Sequence, residues 1–214
     1  NGLTYLVCEP LERAGFINAF STRQASDSNE FTLGHFSPEQ RERILANRQR
    51  FQAAVGANDG PLVTAKQIHS AEVRSIRDYD DARREPQPGD ALTANLSHLL
   101  LGIQTADCMP IVLVDERTHA FAAVHAGWRG TYAEIAVRTV ERMQREYDTR
   151  PEDLLVALGP AICAENFEVG PEVLDQFRGK FRYADELISN LQPNGKGHLD
   201  LNRCNAQQLM DAGV

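Results

Sequence analysis

Two histidines and a cysteine are the residues of this chain whose types are best suited to chemistry. His69, Cys108 and His125 each lie at the end of an apolar run that is typical of a β-strand, where side chains from different strands can converge. Imidazole and thiolate groups bind zinc well, and three protein ligands leave the fourth tetrahedral position open, as in catalytic zinc sites. The gaps between the three residues follow no short metal-binding motif. One unreactive buried cysteine and two histidines satisfied in the core are therefore the alternative.

The segment that begins at His125 could also bind an anion. It reads His-Ala-Gly-Trp-Arg-Gly-Thr, directly after a predicted strand and before a predicted helix. Gly127 and Gly130 would permit tight backbone turns, and the free N–H groups of a helix start attract phosphate. Arg129 could add a bidentate clamp. The alternative is an ordinary strand–helix turn in which Trp128 is a packing residue.

Five further polar residues are candidates for substrate contact or for turn structure. Asp107 could carry a proton or cap a turn, and Asp90 lies in a turn-like Gly-Asp-Ala-Leu-Thr segment. Gln67 lies two residues before a candidate ligand, so on a strand it would face the same side and could meet substrate. Arg23 and Arg48 could bind an anion or could be ordinary surface residues.

The elements that must position these residues follow from periodicity and from turn formers. The predicted strands cover residues 16–20, 62–68, 99–105, 111–115, 121–124 and 154–158. The predicted helices run from an N-cap at Ser37 to a stop at Gly56, from Tyr132 to Tyr147, and onward from Pro171, while residues 80–89 and 184–197 are predicted surface segments. Strands and helices mix without strict β–α–β alternation. We therefore predict an α+β fold, a layered α/β sandwich of mixed sheets and helices, as one domain over residues 1–214.

Composition limits the classes of partner. The chain has 22 Lys and Arg residues against 30 Asp and Glu residues, a formal net charge of −8. This argues against nucleic-acid or membrane binding, because both need clustered positive charge. The four cysteines lie far apart without a Cys-x-x-Cys pair, which argues against a disulfide framework or a zinc ribbon. With no long apolar run and no signal-peptide pattern, we expect a cytoplasmic location.

Five motifs together carry a family resemblance. They are Gln67-Ile68-His69-Ser70, Gly89-Asp90-Ala91-Leu92-Thr93, Thr105-Ala106-Asp107-Cys108-Met109-Pro110, His125-Ala126-Gly127-Trp128-Arg129-Gly130-Thr131 and Gly159-Pro160-Ala161-Ile162. From residue 20 to the end, the chain resembles the bacterial YfiH/YlmD family, which has human FAMIN/laccase-domain relatives and is also labelled polyphenol oxidase or multicopper laccase. The resemblance implies a layered α/β fold and a metal held by His69, Cys108 and His125.

Two departures from the family pattern stand out. The loop after Arg23 lacks the Gly-Gly that is common there, so we expect the mouth of the pocket to differ. Family members usually continue to an aromatic-Ser-x-Arg-Arg motif, whereas this sequence stops at Gly213-Val214. We therefore expect the family's C-terminal tail, with an arginine implied at the active site, to be missing from it.

The resemblance implies a metal-dependent purine nucleoside phosphorylase with adenosine deaminase activity, acting on adenosine, inosine or methylthioadenosine. Catalytic roles are then expected for Asp107, Arg129 and Gln67, and phosphate binding for Arg23, Arg48, Gly127 and Arg129. The expected cofactor is Zn²⁺, with copper as the alternative. The expected partners are a nucleoside and phosphate, without nucleic acid or membrane, and the chain is expected to be a monomer or a weak homo-oligomer.

Three other functions stay open at this stage. A copper polyphenol oxidase would fit one copper ion at the three ligands. The chain has six histidines and no His-x-His pair, so it lacks the imidazoles for a multicopper cluster within one chain. A cysteine hydrolase would use Cys108 as its nucleophile with His69 or His125 as base. A non-catalytic binding scaffold would leave the three ligand-type residues unexplained.

Overall fold

The computed structural model describes residues 2–26, 31–34, 38–58 and 60–214. The strands in these ranges are β1 (Leu3–Leu6), β2 (Phe20–Ala25), β3 (Leu62–Thr64), β4 (Val73–Ser75), β5 (Ala91–Ala94), β6 (Leu100–Gly102), β7 (Met109–Asp115), β8 (Ala120–Ala126), β9 (Leu154–Leu158), β10 (Glu168–Val169), β11 (Ile188–Ser189) and β12 (Gly197–Leu199). The α-helices are α1 (Glu9–Arg13), α2 (Arg41–Ala54), α3 (Tyr79–Ala82), α4 (Trp128–Tyr132), α5 (Ile135–Tyr147), α6 (Pro171–Lys180), α7 (Ala184–Leu187) and α8 (Leu201–Asp211).

The largest sheet has the strand order β4-β5-β8-β7-β9. Strands β4 and β5 are parallel, and the other neighbours are antiparallel. Strands β7 and β8 form a hairpin that pairs without interruption from Met109 opposite Ala126 to Asp115 opposite Ala120. We call the end at Met109 and Ala126 the site end, and the end at Asp115 and Ala120 the turn end. Smaller sheets are formed by β1-β2, β3-β6 and β10-β12-β11.

Both faces of the large sheet are covered, because alternate residues of each strand point to opposite sides. On β8, Ala122 and Val124 pack with Ile135 and Val140 of α5, whereas Phe121 packs on the other side. That other side is covered by α1, whose Leu11 clusters with Val114 of β7, and by the β3-β6 region, where Val63 and Leu99 cluster with Leu92 of β5. Full burial of each large aliphatic side chain contributes about 1.5–3 kcal/mol. The prediction of a layered α+β fold is confirmed.

A second apolar cluster lies beside this sheet and includes residues of α6, α7, β12 and α8. Phe177 is completely buried there, with the rings of Tyr132 and Phe181 at 5.7 and 5.5 Å. Ala184 and Leu187 belong to the same cluster and are each 2% exposed. The prediction that residues 184–197 form a surface excursion is therefore wrong for α7, whose short apolar face closes this cluster.

Long-range hydrogen bonds replace strand pairing in two segments that the apolar pattern predicts as strands. The segment predicted as a strand at 16–20 instead folds back, because the buried Asn18 side chain bonds the backbone N and O of Cys8. The predicted strand 62–68 ends at Thr64, after which Lys66 exchanges backbone hydrogen bonds with the segment 87–89.

The helix predicted at 132–147 is α5, which begins at Ile135 rather than Tyr132, because Glu134 adopts a left-handed φ of 60°; Tyr132 is instead the last residue of the short helix α4. The strand predicted at 154–158 is confirmed as β9. The predicted N-cap Ser37 lies outside the described residues. Among the residues that are described, no helix combines the length and the apolar character that crossing a membrane requires.

Candidate metal centre

The three predicted ligand residues lie together at the site end of the hairpin. His69 is in the loop between β3 and β4, Cys108 directly precedes β7, and His125 is the penultimate residue of β8. Their ligand atoms lie within 4.8 Å of one another, and the two imidazole rings meet edge to face with centroids 4.8 Å apart. His125 is buried, Cys108 is half-buried and His69 is exposed, so the cluster opens to solvent on one side.

Gly127 leaves room for this cluster because it has no side chain. A Cβ atom at this position would lie 2.9 Å from Cys108 Sγ and 3.3 Å from His69 Cδ2. The φ of Gly127 is −74°, an ordinary value for any residue. The expectation that Gly127 is needed for a tight backbone turn is therefore wrong. Glycine is needed here because any side chain would collide with Cys108 and His69.

A fully buried carboxylate, that of Asp90, lies behind the ligands. Its Oδ1 accepts hydrogen bonds from His69 N at 3.0 Å and from His125 Nδ1 at 2.9 Å. Its Oδ2 accepts bonds from Ile68 N at 3.3 Å, Ser70 N at 2.6 Å and Ser70 Oγ at 2.7 Å. His69 has a left-handed φ of 57°, and the three successive N–H groups converge on one anion as in a backbone nest.

Sequence reasoning interpreted Asp90 only as a turn residue, so it missed this role. Its donors lie 20 to 35 residues away along the chain, and no local pattern connects them. The available signal was the Gly89-Asp90 motif, which belongs to the same family resemblance as the three ligand motifs.

The surroundings shift the pKa values of three groups in and behind the cluster. Burial alone would raise the pKa of Asp90, but the hydrogen bonds from Ser70, His125 and His69 outweigh it and hold that pKa below its ordinary value. Burial lowers the pKa of His125, against the opposing effect of Asp90, which favours the neutral imidazole that metals bind. Burial raises the pKa of the Cys108 thiol, and the charges of Asp107 and Asp90 raise it further.

Two of the predicted catalytic residues lie on the loops that carry the ligands. Asp107 has an exposed side chain next to Cys108, while its backbone O accepts a hydrogen bond from Ile162 N at 2.9 Å. Gln67 makes two 2.7 Å hydrogen bonds with the backbone of Gln104, one through each end of its amide. The Gln67 amide thus joins the loop of His69 to the segment that leads to Cys108.

The predicted anion-binding residues are more widely spread. Arg129 is exposed at the site end, with its guanidinium carbon 4.4 Å from the ring centroid of Trp128. Arg23 lies exposed on β2, and Arg48 lies on α2 with its Nε donating to Leu33 O at 2.9 Å. Among the described residues, neither Arg23 nor Arg48 forms a hydrogen bond or ion pair with the three ligand residues.

The donor set and the space in front of it fit a metal ion. Two imidazole nitrogens and one thiolate suit zinc and copper alike. The absence of a side chain at Gly127 leaves space beside Cys108 Sγ and His69. A carboxylate that accepts a hydrogen bond from the second ring nitrogen, as Asp90 does for His125, is a common feature of ligated histidines. The cluster could therefore hold a metal through His69, Cys108 and His125.

This chain is similar to several known proteins. The chain is 34% identical over 209 residues to adenosine deaminase RL5 of an unknown prokaryotic organism, covering 92% of this chain and 79% of that protein. It is 33% identical over 204 residues to a purine nucleoside phosphorylase of Bacteroides thetaiotaomicron, covering 91% of this chain and 76% of the relative. The crystal structure of the hypothetical protein YfiH of Bacillus licheniformis matches with a TM-score of 0.80 at 25% identity, over 87% of this chain and 72% of that one.

The family model described as multi-copper polyphenol oxidoreductase laccase matches residues 17–214. This range includes every ligand residue of the cluster and all five motifs that carry the predicted resemblance to YfiH. That resemblance is confirmed, and the chain belongs to the family described as multi-copper polyphenol oxidoreductase laccase.

Proposed function

We propose that this chain is a metal-dependent purine nucleoside phosphorylase that also deaminates adenosine. Its substrates would be adenosine, inosine and methylthioadenosine, with phosphate as the second reactant. The observation that carries the proposal is the convergence of His69, Cys108 and His125 within 4.8 Å. Two relatives are named for these activities, an adenosine deaminase and a purine nucleoside phosphorylase, and their matches cover 92% and 91% of this chain.

The three ligand residues would hold Zn²⁺, with copper as the alternative ion. Bound there, the metal supplies Lewis-acid chemistry toward water or a substrate heteroatom. The ligands come from three separate segments, one of them the rigid strand β8, and they leave one side of the cluster open to solvent. That open side is where a small substrate would enter.

Asp107 is the group we propose to move protons. Asp107 is exposed and directly precedes Cys108 in the chain, which supports this assignment. In deamination, water adds to C6 of the adenine, the C6–N bond breaks and ammonia leaves. Asp107 would accept a proton from the water and return it to the departing nitrogen.

Arg129 is the main group we propose to bind phosphate, with Gly127, Arg48 and Arg23 as further contacts. In phosphorolysis, a phosphate oxygen bonds to C1′ of the ribose while the bond from C1′ to the purine breaks and the base takes up a proton. Helix α4 has only five residues, so its dipole is short and the charge of Arg129 must supply most of the attraction. Stacking on Trp128 limits the freedom of the guanidinium before phosphate arrives.

Gln67 would act on catalysis through the geometry of the loop that it holds. Both ends of its amide are engaged by Gln104, so its contribution would come from fixing the segment that precedes His69.

The proposal also includes a cytoplasmic location, because all four cysteines are free thiols, which suits a reducing compartment. A monomer or weak homo-oligomer that acts on dissolved small molecules completes it.

The test is product analysis by chromatography after metal-quantified protein is incubated with adenosine, with and without phosphate. We expect phosphate-dependent release of free base, and inosine formation that does not need phosphate. His125→Ala should abolish both, whereas His119→Asn, at an exposed position of the turn end, should retain both. The absence of turnover of every purine nucleoside by the metal-loaded wild type would overturn the proposal.

A copper-dependent polyphenol oxidase is the second candidate, and the family description favours it. Copper competes strongly for nitrogen and sulfur ligands, so the cluster could hold one copper ion in place of zinc. Bound there, copper would supply one-electron redox chemistry, with dioxygen as the oxidant that takes up the electrons of the phenol. Oxidation of a phenol that depends on copper, in protein that turns over no nucleoside, would select this function instead.

A further inference from the structure

One carboxylate oxygen connects the two candidate histidine ligands. Asp90 Oδ1 accepts the backbone N–H of His69 at 3.0 Å and faces the Nδ1 of His125 at 2.9 Å. His69 and His125 are separated by 56 positions in the sequence. Their relative position therefore depends on a group that contacts both of them. Asp90 is that group, and its side chain is completely excluded from solvent.

Backbone hydrogen bonds fix the main chain at His125, but they do not fix the orientation or the tautomer of its imidazole ring. Strands β5 and β8 are paired, and His125 N donates to Asp90 O at 2.7 Å, which fixes the two main chains relative to each other. The orientation and tautomer of the imidazole are then set by its side-chain partner. A hydrogen on Nδ1 that is donated to the carboxylate leaves the lone pair of Nε2 free for a metal.

We propose that Asp90 is a positioning residue of the metal centre, which holds His125 in the Nδ1–H tautomer and fixes the His69 loop against it. Asp90 itself would not touch the metal or the substrate. This inference rests on the proposed metal-binding function, and it adds a residue whose removal weakens metal binding without removing a ligand.

Asp90→Asn separates positioning from packing because it keeps the size of the side chain. An amide has one acceptor and one donor end, so either the Ser70 donors or the His125 ring must face an N–H group. When the ring faces the amide N–H, the imidazole must accept at Nδ1, and its Nε2 then carries the hydrogen. A proton at Nε2 excludes the metal from that atom.

The matched control is Asp115→Asn. Asp115 is likewise completely buried and accepts several hydrogen bonds, but it lies at the turn end of the same hairpin, away from the ligands. Both variants disturb a buried carboxylate, and only the first one disturbs His125. A loss of metal binding that merely reflects a less stable fold would therefore occur in both.

The experiment measures zinc affinity by chelator competition and records the absorption spectrum of the cobalt-substituted chain for wild type and both variants. We expect Asp90→Asn to bind zinc about 10- to 100-fold more weakly and to shift the cobalt bands. Asp115→Asn should retain the affinity within about threefold and the wild-type spectrum. Wild-type affinity and spectrum in Asp90→Asn, or an equal loss of affinity in both variants, would overturn the proposal.

A measurement on the wild type decides the matter if Asp90→Asn does not fold. Two-bond ¹H–¹⁵N correlation spectra of the metal-free chain identify which ring nitrogen of His125 carries the hydrogen. We expect Nδ1, and a hydrogen on Nε2 would overturn the inference. A wild-type chain that binds no metal would overturn the proposed metal site as well, whereas zinc binding with an Nε2–H tautomer would overturn the role of Asp90 alone.

Discussion

A completely buried aspartate lies at each end of the β7–β8 hairpin: Asp115 is the last residue of β7 at the turn end, and Asp90, just before the neighbouring strand β5, adjoins the site end. The two carboxylates differ in how far along the chain most of their hydrogen-bond donors lie. At the turn end, Asp115 accepts hydrogen bonds from Arg117 N, Thr118 N and Thr118 Oγ1 at 2.8, 3.2 and 2.7 Å. These donors lie two and three residues further along the chain. At the site end, the donors to Asp90 come from segments 20 to 35 residues away.

The pKa values of both carboxylates are shifted in the same direction. Burial alone would raise the pKa of Asp115, but hydrogen bonds from Thr118, Thr149 and Arg117 outweigh it and lower that pKa, as happens at Asp90. At the turn end most donors to the buried carboxylate are local, with Thr149 as one distant donor, whereas at the site end every donor to Asp90 lies at least 20 residues away. The same chemistry thus mainly closes a turn at one end and joins distant segments of the candidate metal centre at the other.

The largest expected effect belongs to the site end. Cys108→Ser should weaken zinc binding by more than about 100-fold, because a hydroxyl is a far poorer zinc ligand than a thiolate. The free energy of unfolding of the metal-free chain should change little. Metal content by mass spectrometry and chelator competition check this, with the exposed Cys163→Ser as the matched control. Zinc binding by Cys108→Ser equal to that of Cys163→Ser would contradict the assignment of the sulfur ligand.

The turn end should respond in stability alone. Asp115→Asn should lower the free energy of unfolding by about 2–3 kcal/mol, because buried donors lose a charged acceptor. Urea unfolding measures this, with the exposed Asp185→Asn expected within about 0.5 kcal/mol of wild type. A clear loss of zinc affinity in Asp115→Asn would show that the two ends of the hairpin are coupled and would contradict the separate roles of Asp115 and Asp90.

Acid should destabilise the wild type through both aspartates. A carboxylate with a lowered pKa in the folded chain contributes stability above its unfolded pKa of about 3.9, and this stability is lost as the pH falls through the lower folded value. Asp115→Asn removes one of the two groups, so its stability should decrease less between about pH 4 and pH 2. Urea unfolding as a function of pH checks this, and an unchanged acid dependence in Asp115→Asn would contradict the lowered pKa of Asp115.

The smallest expected effects come from removing a single hydroxyl donor at each end of the hairpin. Ser70→Ala and Thr118→Ala each remove one hydroxyl that donates to a buried carboxylate, at Asp90 Oδ2 and Asp115 Oδ2 respectively. Each should cost about 1 kcal/mol of unfolding free energy. Only Ser70→Ala should also weaken zinc binding, by about two- to fivefold. Equal zinc affinities in the two variants would indicate that the serine hydroxyl has no part in positioning.

The residue types and motifs predicted that His69, Cys108 and His125 converge, and they do. Cys108 and His125 lie at the ends of strands β7 and β8, as expected, whereas His69 lies in the loop after β3. The apolar pattern also predicted β9, since a continuous apolar run suits a strand that is covered by its neighbours. Asp90 could not be found in this way, because its importance comes from donors that only the folded chain brings near. The sequence could not show why residue 127 is a glycine either. The reason is that a side chain there would collide with Cys108 Sγ, and it has nothing to do with the backbone conformation of Gly127.

X-ray absorption spectroscopy of the zinc-loaded wild type tests the central claim most directly. We expect one zinc per chain, with one sulfur neighbour at about 2.3 Å and two imidazole nitrogens at about 2.0–2.1 Å. One remaining light-atom neighbour would complete the open position. A first shell without sulfur, or with fewer than two imidazoles, would contradict a centre formed by His69, Cys108 and His125.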